Sequence, residues 1–129
     1  MIEFRLDPRS GVAAYLQIVQ QVRQALLLGM LAEGDRLPTV KQVVGMVAIN
    51  PNTVLKAYRE LEMAGLVVAK PGAGTFVTKT LTQSSITEHE PLRRELEAWL
   101  AKARAAGLTE AELDALIRAT VRDTADEEK

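Results

Sequence analysis

An Asn-Pro pair at positions 50–51 divides the most strongly patterned stretch of the chain, residues 37–77. Asn50 has the side chain of a helix N-cap, and Pro51 suits a first helical turn, where a missing N–H costs nothing. Upstream, Thr39-Val40-Lys41-Gln42 has the form of a capping box, with Gln42 able to reach back to the Thr39 N–H. The helix opened there must stop before Asn50, so it is short and a tight turn follows it. From Pro51 to about Ala64, the residues Val54, Ala57, Tyr58 and Leu61 recur at i, i+3, i+4 and i+7. That spacing predicts a second helix with one buried face. Asn52, Thr53, Lys56, Arg59 and Glu60 occupy its other side. Gly65 is placed to end it. Residues 66–69 read as a strand, 70–74 as a turn and 75–77 as a returning strand.

Helix, tight turn, helix and hairpin in this order predict a winged helix-turn-helix. Val43, Val44, Val47, Ile49, Val54, Tyr58 and Leu61 are expected in its core. A recognition helix enters the major groove with its N-terminal residues nearest the base edges. Asn bonds adenine bidentately, and Thr offers a hydroxyl to a base or a methyl to thymine. Asn52 and Thr53 are therefore candidate base readers, and Lys56 and Arg59 candidate phosphate partners. Capping alone also explains Asn50 and Pro51, and an ordinary solvated face also explains Lys56 and Arg59.

Three runs carry a family resemblance. They are Gly34-Asp35-Arg36-Leu37-Pro38-Thr39, then Asn50-Pro51-Asn52-Thr53-Val54 with Lys56-Ala57-Tyr58-Arg59-Glu60-Leu61-Glu62, then Gly72-Ala73-Gly74-Thr75-Phe76-Val77. Over residues 15–77 the chain resembles the DNA-binding domain of the GntR family of bacterial transcription regulators. The Asn-Pro-Asn-Thr form and the short C-terminal tail resemble its YtrA-type branch. The resemblance implies base or phosphate contacts for Asn50, Asn52 and Thr53, and a phosphate contact for Arg36. Relatives place an arginine on guanine where this chain has Lys41. Lysine lacks the planar fork, so guanine readout is expected to be looser. Thr39 stands where serine is usual and keeps the hydroxyl, and Gln42 replaces an acidic residue. Gly72 in the wing is expected close to the minor groove, with Lys70 beside it on phosphate.

The charge is unevenly spread. Residues 1–80 hold 9 Lys/Arg and 6 Asp/Glu, whereas residues 81–129 hold 7 and 11, so a formal net charge of −1 conceals a basic head and an acidic tail. That division suits a half that meets phosphate joined to a half that stays off it. Apolar content of 47% with 26% charge is ordinary for a soluble globular chain and argues against disorder. No residue is cysteine and His89 is the single histidine, so no metal site, cofactor or Cys/His nucleophile is expected. Glu60/Glu62 and Glu110/Glu112 sit at i, i+2, which points them to different helix faces and not into an acid/base pair. Gly72-Ala73-Gly74 joins two strands, not a strand and a helix, so it lacks the context of a phosphate loop. No enzyme activity is expected. No signal peptide or membrane span is expected either, and the cytoplasm is the default location.

The remaining segments frame this module. Residues 1–11 form an arm in which Phe4 and Leu6 alternate with charges. It is expected as a short strand or as disorder, and the branch resemblance implies packing on the winged domain. Residues 13–31 predict a long helix with Tyr15, Ile18, Val19, Val22 and Leu26 buried and Gln17, Gln20, Gln21, Arg23 and Gln24 exposed. Residues 80–90 are polar, rich in Ser and Thr, and read as a linker. Residues 91–106 predict a helix with Leu92, Leu96, Trp99, Leu100 and Ala103 on one face. Gly107 ends it, and Thr109 to Glu112 forms a second capping box opening a helix with Leu113, Leu116 and Ile117. Residues 125–129 are expected to fray.

The expected architecture is therefore α+β, mostly α. An N-terminal winged helix-turn-helix spans 1–79, and a two-helix hairpin spans 91–124. Such a hairpin is too small for a core of its own. It must pack on its own head or on a second copy, and the branch resemblance implies homodimerisation through Leu92, Leu96, Trp99, Leu100, Leu113, Leu116 and Ile117. The expected partners are a double-stranded inverted-repeat operator, a second copy and an unidentified small-molecule effector, with no membrane. The expected role is a repressor. The competing expectation is a winged-helix module whose basic face meets an acidic protein.

Overall fold

The computed structural model describes residues 2–78 and 89–127. The chain divides into two compact units, Met1–Ile86 and Thr87–Lys129. The first is a winged helix-turn-helix and the second a helical hairpin.

In the first unit, α1 (Ala14–Leu27) buries Ile18, Val19, Val22, Ala25 and Leu26. It is about a turn shorter than its periodicity predicts. The cause is Gly29, which adopts a φ of 74°. Its N–H donates to the Leu26 carbonyl at 3.3 Å, and the Met30 N–H donates to the Ala25 carbonyl at 2.8 Å. This paired closure satisfies the last carbonyls and turns the chain back, so that Leu31 is buried.

The next helix, α2 (Val40–Val47), has both arms of its capping box. Eight residues are too few for an isolated helix to persist. It is held instead by packing, with Val43 fully buried and Val44 and Val47 against the core. It stops at Ala48, whose φ of 51° lies in the left-handed region. That conformation costs a residue with a Cβ roughly 1–2 kcal/mol, and it makes the tight turn into α3 (Pro51–Met63). There the expected face, Val54, Ala57, Tyr58 and Leu61, is buried. Gly65 closes the helix by the same paired arrangement that ends α1, from its own N–H to the Glu62 carbonyl and from the Leu66 N–H to the Leu61 carbonyl.

The wing consists of β1 (Val67–Lys70) and β2 (Gly74–Val77), paired antiparallel with Val67 opposite Val77 and Lys70 opposite Gly74. Lys70 and Gly74, expected in the turn, therefore close the ladder, and residues 71–73 make the loop. The segment before α2 runs along the other edge of β2. The Leu37 N–H donates to the Thr75 carbonyl at 2.9 Å and the Val77 N–H to the Asp35 carbonyl at 2.8 Å.

The arm forms no strand over residues 2–6. It is nevertheless ordered on the core: Phe4 is buried, and Ile2 and Leu6 pack beside it. Irregular backbone leaves N–H and C=O groups without ladder partners, and these must be met some other way. Gln17, expected on the exposed face, is 8% exposed and meets them. Its Oε1 accepts from the Asp7 N–H at 2.8 Å, and its Nε2 donates to the Asp7 and Val12 carbonyls and to Ser10 Oγ. Gln21 does the same for Arg5, accepting from its N–H and donating to its carbonyl.

In the second unit, α4 (Glu90–Ala105) begins one residue before Pro91. The expected linker otherwise lies outside the described residues. Gly107, with a φ of 95°, ends the helix. The second capping box is present, with the Glu112 N–H donating to Thr109 Oγ1 and the Thr109 N–H to Glu112 Oε1. These bonds hold the Glu112 carboxyl below its ordinary pKa. Arg104 bonds Glu110 across the turn at 3.0 Å and lowers that carboxyl likewise. The last helix, α5 (Glu110–Glu127), continues past the expected end at Asp123. Neither Gly nor Pro follows Gly107 to stop it, and Thr124 Oγ1 donates back to the Thr120 carbonyl. None of the described helices is long and apolar enough to cross a membrane.

Candidate nucleic-acid interface

The caps and first turns of α2 and α3 carry half of the candidate contacts, and the capping bonds fix them in place. Thr39 Oγ1 accepts from the Gln42 N–H at 3.1 Å while Gln42 Oε1 accepts from the Thr39 N–H at 2.9 Å. Asn50 Oδ1 accepts from the Asn52 N–H at 2.8 Å. The capping roles of Thr39 and Asn50 are thus occupied, leaving the Thr39 hydroxyl proton and the Asn50 amide NH₂ to donate outward. Asn52 and Lys41 are exposed, and Thr53 is half-buried.

Tyr58 joins the two helices. Its hydroxyl is buried and donates to the Pro38 carbonyl at 2.6 Å, just ahead of α2. Burial raises its pKa well above the ordinary tyrosine range, so the hydroxyl remains a donor. Next to this bond, Thr39, Leu55, Arg59, Gly74 and Thr75 line a cleft of about 390 Å³ between the helices and the wing. Thr39 and Arg59, distant in sequence, face the same cleft.

Other candidates are directed by neighbours invisible in the linear pattern. The Lys56 ammonium lies over the Tyr15 ring, 4.1 Å from its centroid. Lys70 lies 5.1 Å from the Phe76 centroid, so the wing's cation is steered by the returning strand. Arg36 bridges to Phe76 on the edge of β2. Gly72 stands exposed in the loop with a φ of 76°. Glu62 accepts the Ala69 N–H at 2.8 Å and pins β1 to the end of α3.

Gly74 combines a backbone conformation that favours glycine with a close approach to the Arg36 side chain. Its φ is 124°, and a Cβ added there would lie 2.9 Å from Arg36 Nε. Gly74→Ala is expected to lower stability by roughly 1–3 kcal/mol through backbone strain and to push the guanidinium off the wing. Urea unfolding measures the first effect; a weaker salt dependence of DNA binding reports the second.

The family model described as bacterial regulatory proteins, gntR family, matches residues 14–77. The HTH-type transcriptional repressor YtrA of Bacillus subtilis is 35% identical over 108 residues, covering 81% of each chain. This chain belongs to the gntR family. Two solved structures are similar over almost the whole length. One is the YtrA of Sulfolobus acidocaldarius, a GntR-family transcription factor, at 27% identity and a TM-score of 0.54, covering 93% of this chain and 97% of that one. The other is a Listeria monocytogenes protein described as a transcriptional antiterminator, at 28% identity and a TM-score of 0.59, covering 95% and 92%. Family membership makes the chain a DNA-binding transcription regulator and accounts for the three runs that frame the wing and the two capped helices.

The proposed dimer residues all lie in the second unit. Leu92, Leu96, Trp99 and Leu116 are exposed, at 64%, 48%, 37% and 43%, and Leu100 and Ile117 are half-buried. Leu96, Trp99, Leu116, Ile117 and Val121 line an apolar groove of about 390 Å³. Leu113 is different: it is already buried within the single chain. No group of His, Asp or Glu among the described residues is arranged to hold a metal ion.

Proposed function

We propose that this gntR-family regulator is a cytoplasmic homodimeric repressor without catalytic activity. Each protomer lays the first turns of α3 in a major groove of an inverted-repeat operator and sets its wing against the adjacent minor groove. The observation that carries this reading is the division of α3 into two faces. Val54, Ala57, Tyr58 and Leu61 are buried, while Asn52, Lys56 and Arg59 point away from the core. Asn52 and Thr53 read bases, Lys41 reaches a guanine, and Arg36, Lys56 and Arg59 hold phosphate, with Lys70 on phosphate and Gly72 near the minor groove in the wing. The exposed leucines and Trp99 of the hairpin meet a second copy, since so small a unit gains its core from a partner. Repression is supported by the role of the Bacillus subtilis relative, a transcriptional repressor. Twofold symmetry then places the half-sites roughly 34 Å apart.

The test is a salt series of binding to the DNA upstream of the protein's own gene against scrambled DNA, with the mass of the complex measured alongside. The upstream DNA should bind about 10³-fold tighter or more, with two chains per site. Equal, weak binding of both DNAs at every salt concentration would overturn the proposal and favour an acidic protein partner.

A further inference from the structure

Leu55 has no role in the reading above, although it sits among the groups that carry it. Its neighbours Val54, Ala57 and Tyr58 are buried, yet its own side chain is 39% exposed. It follows Asn52 by three residues and precedes Arg59 by four, so the three lie along one helical stripe. Along the α3 axis it is only about 4.5 Å from Asn52. Met63, the other exposed apolar residue of α3, sits at the opposite helix end, about 16 Å along the axis from Asn52. Leu55 also lines the cleft with Thr39, Arg59 and Gly74. An apolar side chain is thus held partly in solvent beside the donors and cations that carry the operator contacts.

A major groove offers such a side chain one specific partner. Thymine alone presents a carbon substituent, its 5-methyl group, on the major-groove edge. The neighbouring caps offer donors but fewer free acceptors, because Asn50 Oδ1 accepts from the Asn52 N–H and Thr39 Oγ1 from the Gln42 N–H. We propose that Leu55 is a specificity-determining residue that reads the 5-methyl of one thymine in each operator half-site. The inference rests on the operator-binding reading and deepens it.

The test removes the methyl without touching the protein. A duplex selected by the wild-type chain from random DNA is remade with each thymine replaced in turn by deoxyuridine. Base pairing is kept and only the methyl is lost. At one position per half-site, the replacement should weaken wild-type binding about fourfold, the worth of one buried carbon, and about fifteenfold when both half-sites are changed. Leu55→Ala should bind the thymine and deoxyuridine duplexes alike, while Leu55→Met, which keeps apolar reach, should retain the preference. Thermal melting of both variants shows that the fold is intact. The assignment is overturned if no replacement shifts wild-type affinity by more than twofold, or if Leu55→Ala still discriminates. Failure of the wild-type chain to select any sequence would instead overturn the operator-binding reading, and this inference with it.

Discussion

Asn52→Ala is expected to lower affinity for the operator by roughly 30-fold to 10⁴-fold while leaving binding to unrelated DNA almost unchanged. A bidentate contact to a base contributes about 1–3 kcal/mol of discrimination, and twofold symmetry applies the loss at both half-sites. Phosphate contacts do not depend on this side chain, so the slope of log affinity against log salt should stay where it was. Stability should hardly move, because Asn52 is exposed and its part in the cap is its backbone N–H, which alanine keeps. Fluorescence anisotropy on operator and scrambled duplexes over a salt range separates these quantities. A parallel loss on both DNAs would mean that Asn52 positions the backbone and reads no base.

Gln17→Ala is expected to release the arm. The substitution removes the acceptor of the Asp7 N–H and the donor to the Asp7 and Val12 carbonyls and to Ser10. Each such bond contributes about 0.5–1.5 kcal/mol net. The arm can escape the penalty of unpaired groups by peeling into water, but Phe4 then leaves the core, at a cost of roughly 1.5–3 kcal/mol. A loss of about 2 kcal/mol or more is expected in urea unfolding, the four bonds at their lowest worth. Trypsin offers a local readout, since Arg5 and Arg9 lie in the arm. Cleavage there should quicken well before global unfolding, whereas unchanged cleavage would show that the hydrophobic contacts alone hold the arm.

These two residues also mark what could and could not be read from the linear chain. The caps at Thr39, Asn50 and Thr109 were legible because each partner lies within three residues, and local hydrogen bonds leave a local pattern. The buried face of α3 was legible because its period is that of the helix. The role of Gln17 is hidden for the opposite reason. Its partners lie on irregular backbone, which has no period, and a glutamine in a helical pattern looks the same whether it faces water or a strap of chain. The end of α1 is hidden in the sequence because the apolar residues run on through Gly29 and mask the stop that the glycine makes. Lys56 and Lys70 could be listed as cations, but the rings of Tyr15 and Phe76 that steer them come from other elements. Leu113 was grouped with Leu116 by spacing, and only the folded chain separates a buried position from an exposed one.

The bond from Tyr58 to Pro38 bears on how quickly and how tightly a duplex can be engaged. It spans twenty residues and locks the entry of one capped helix to the middle of the other. The two sets of groups offered to DNA therefore arrive as one preorganised body, with their spacing settled before encounter. Binding then needs to immobilise only the exposed side chains, at about 0.5–1.5 kcal/mol each, and no helix has to find its place on the duplex. A regulator built this way gains little from induced fit, so differences among operators should appear in how long the complex lasts more than in how fast it forms.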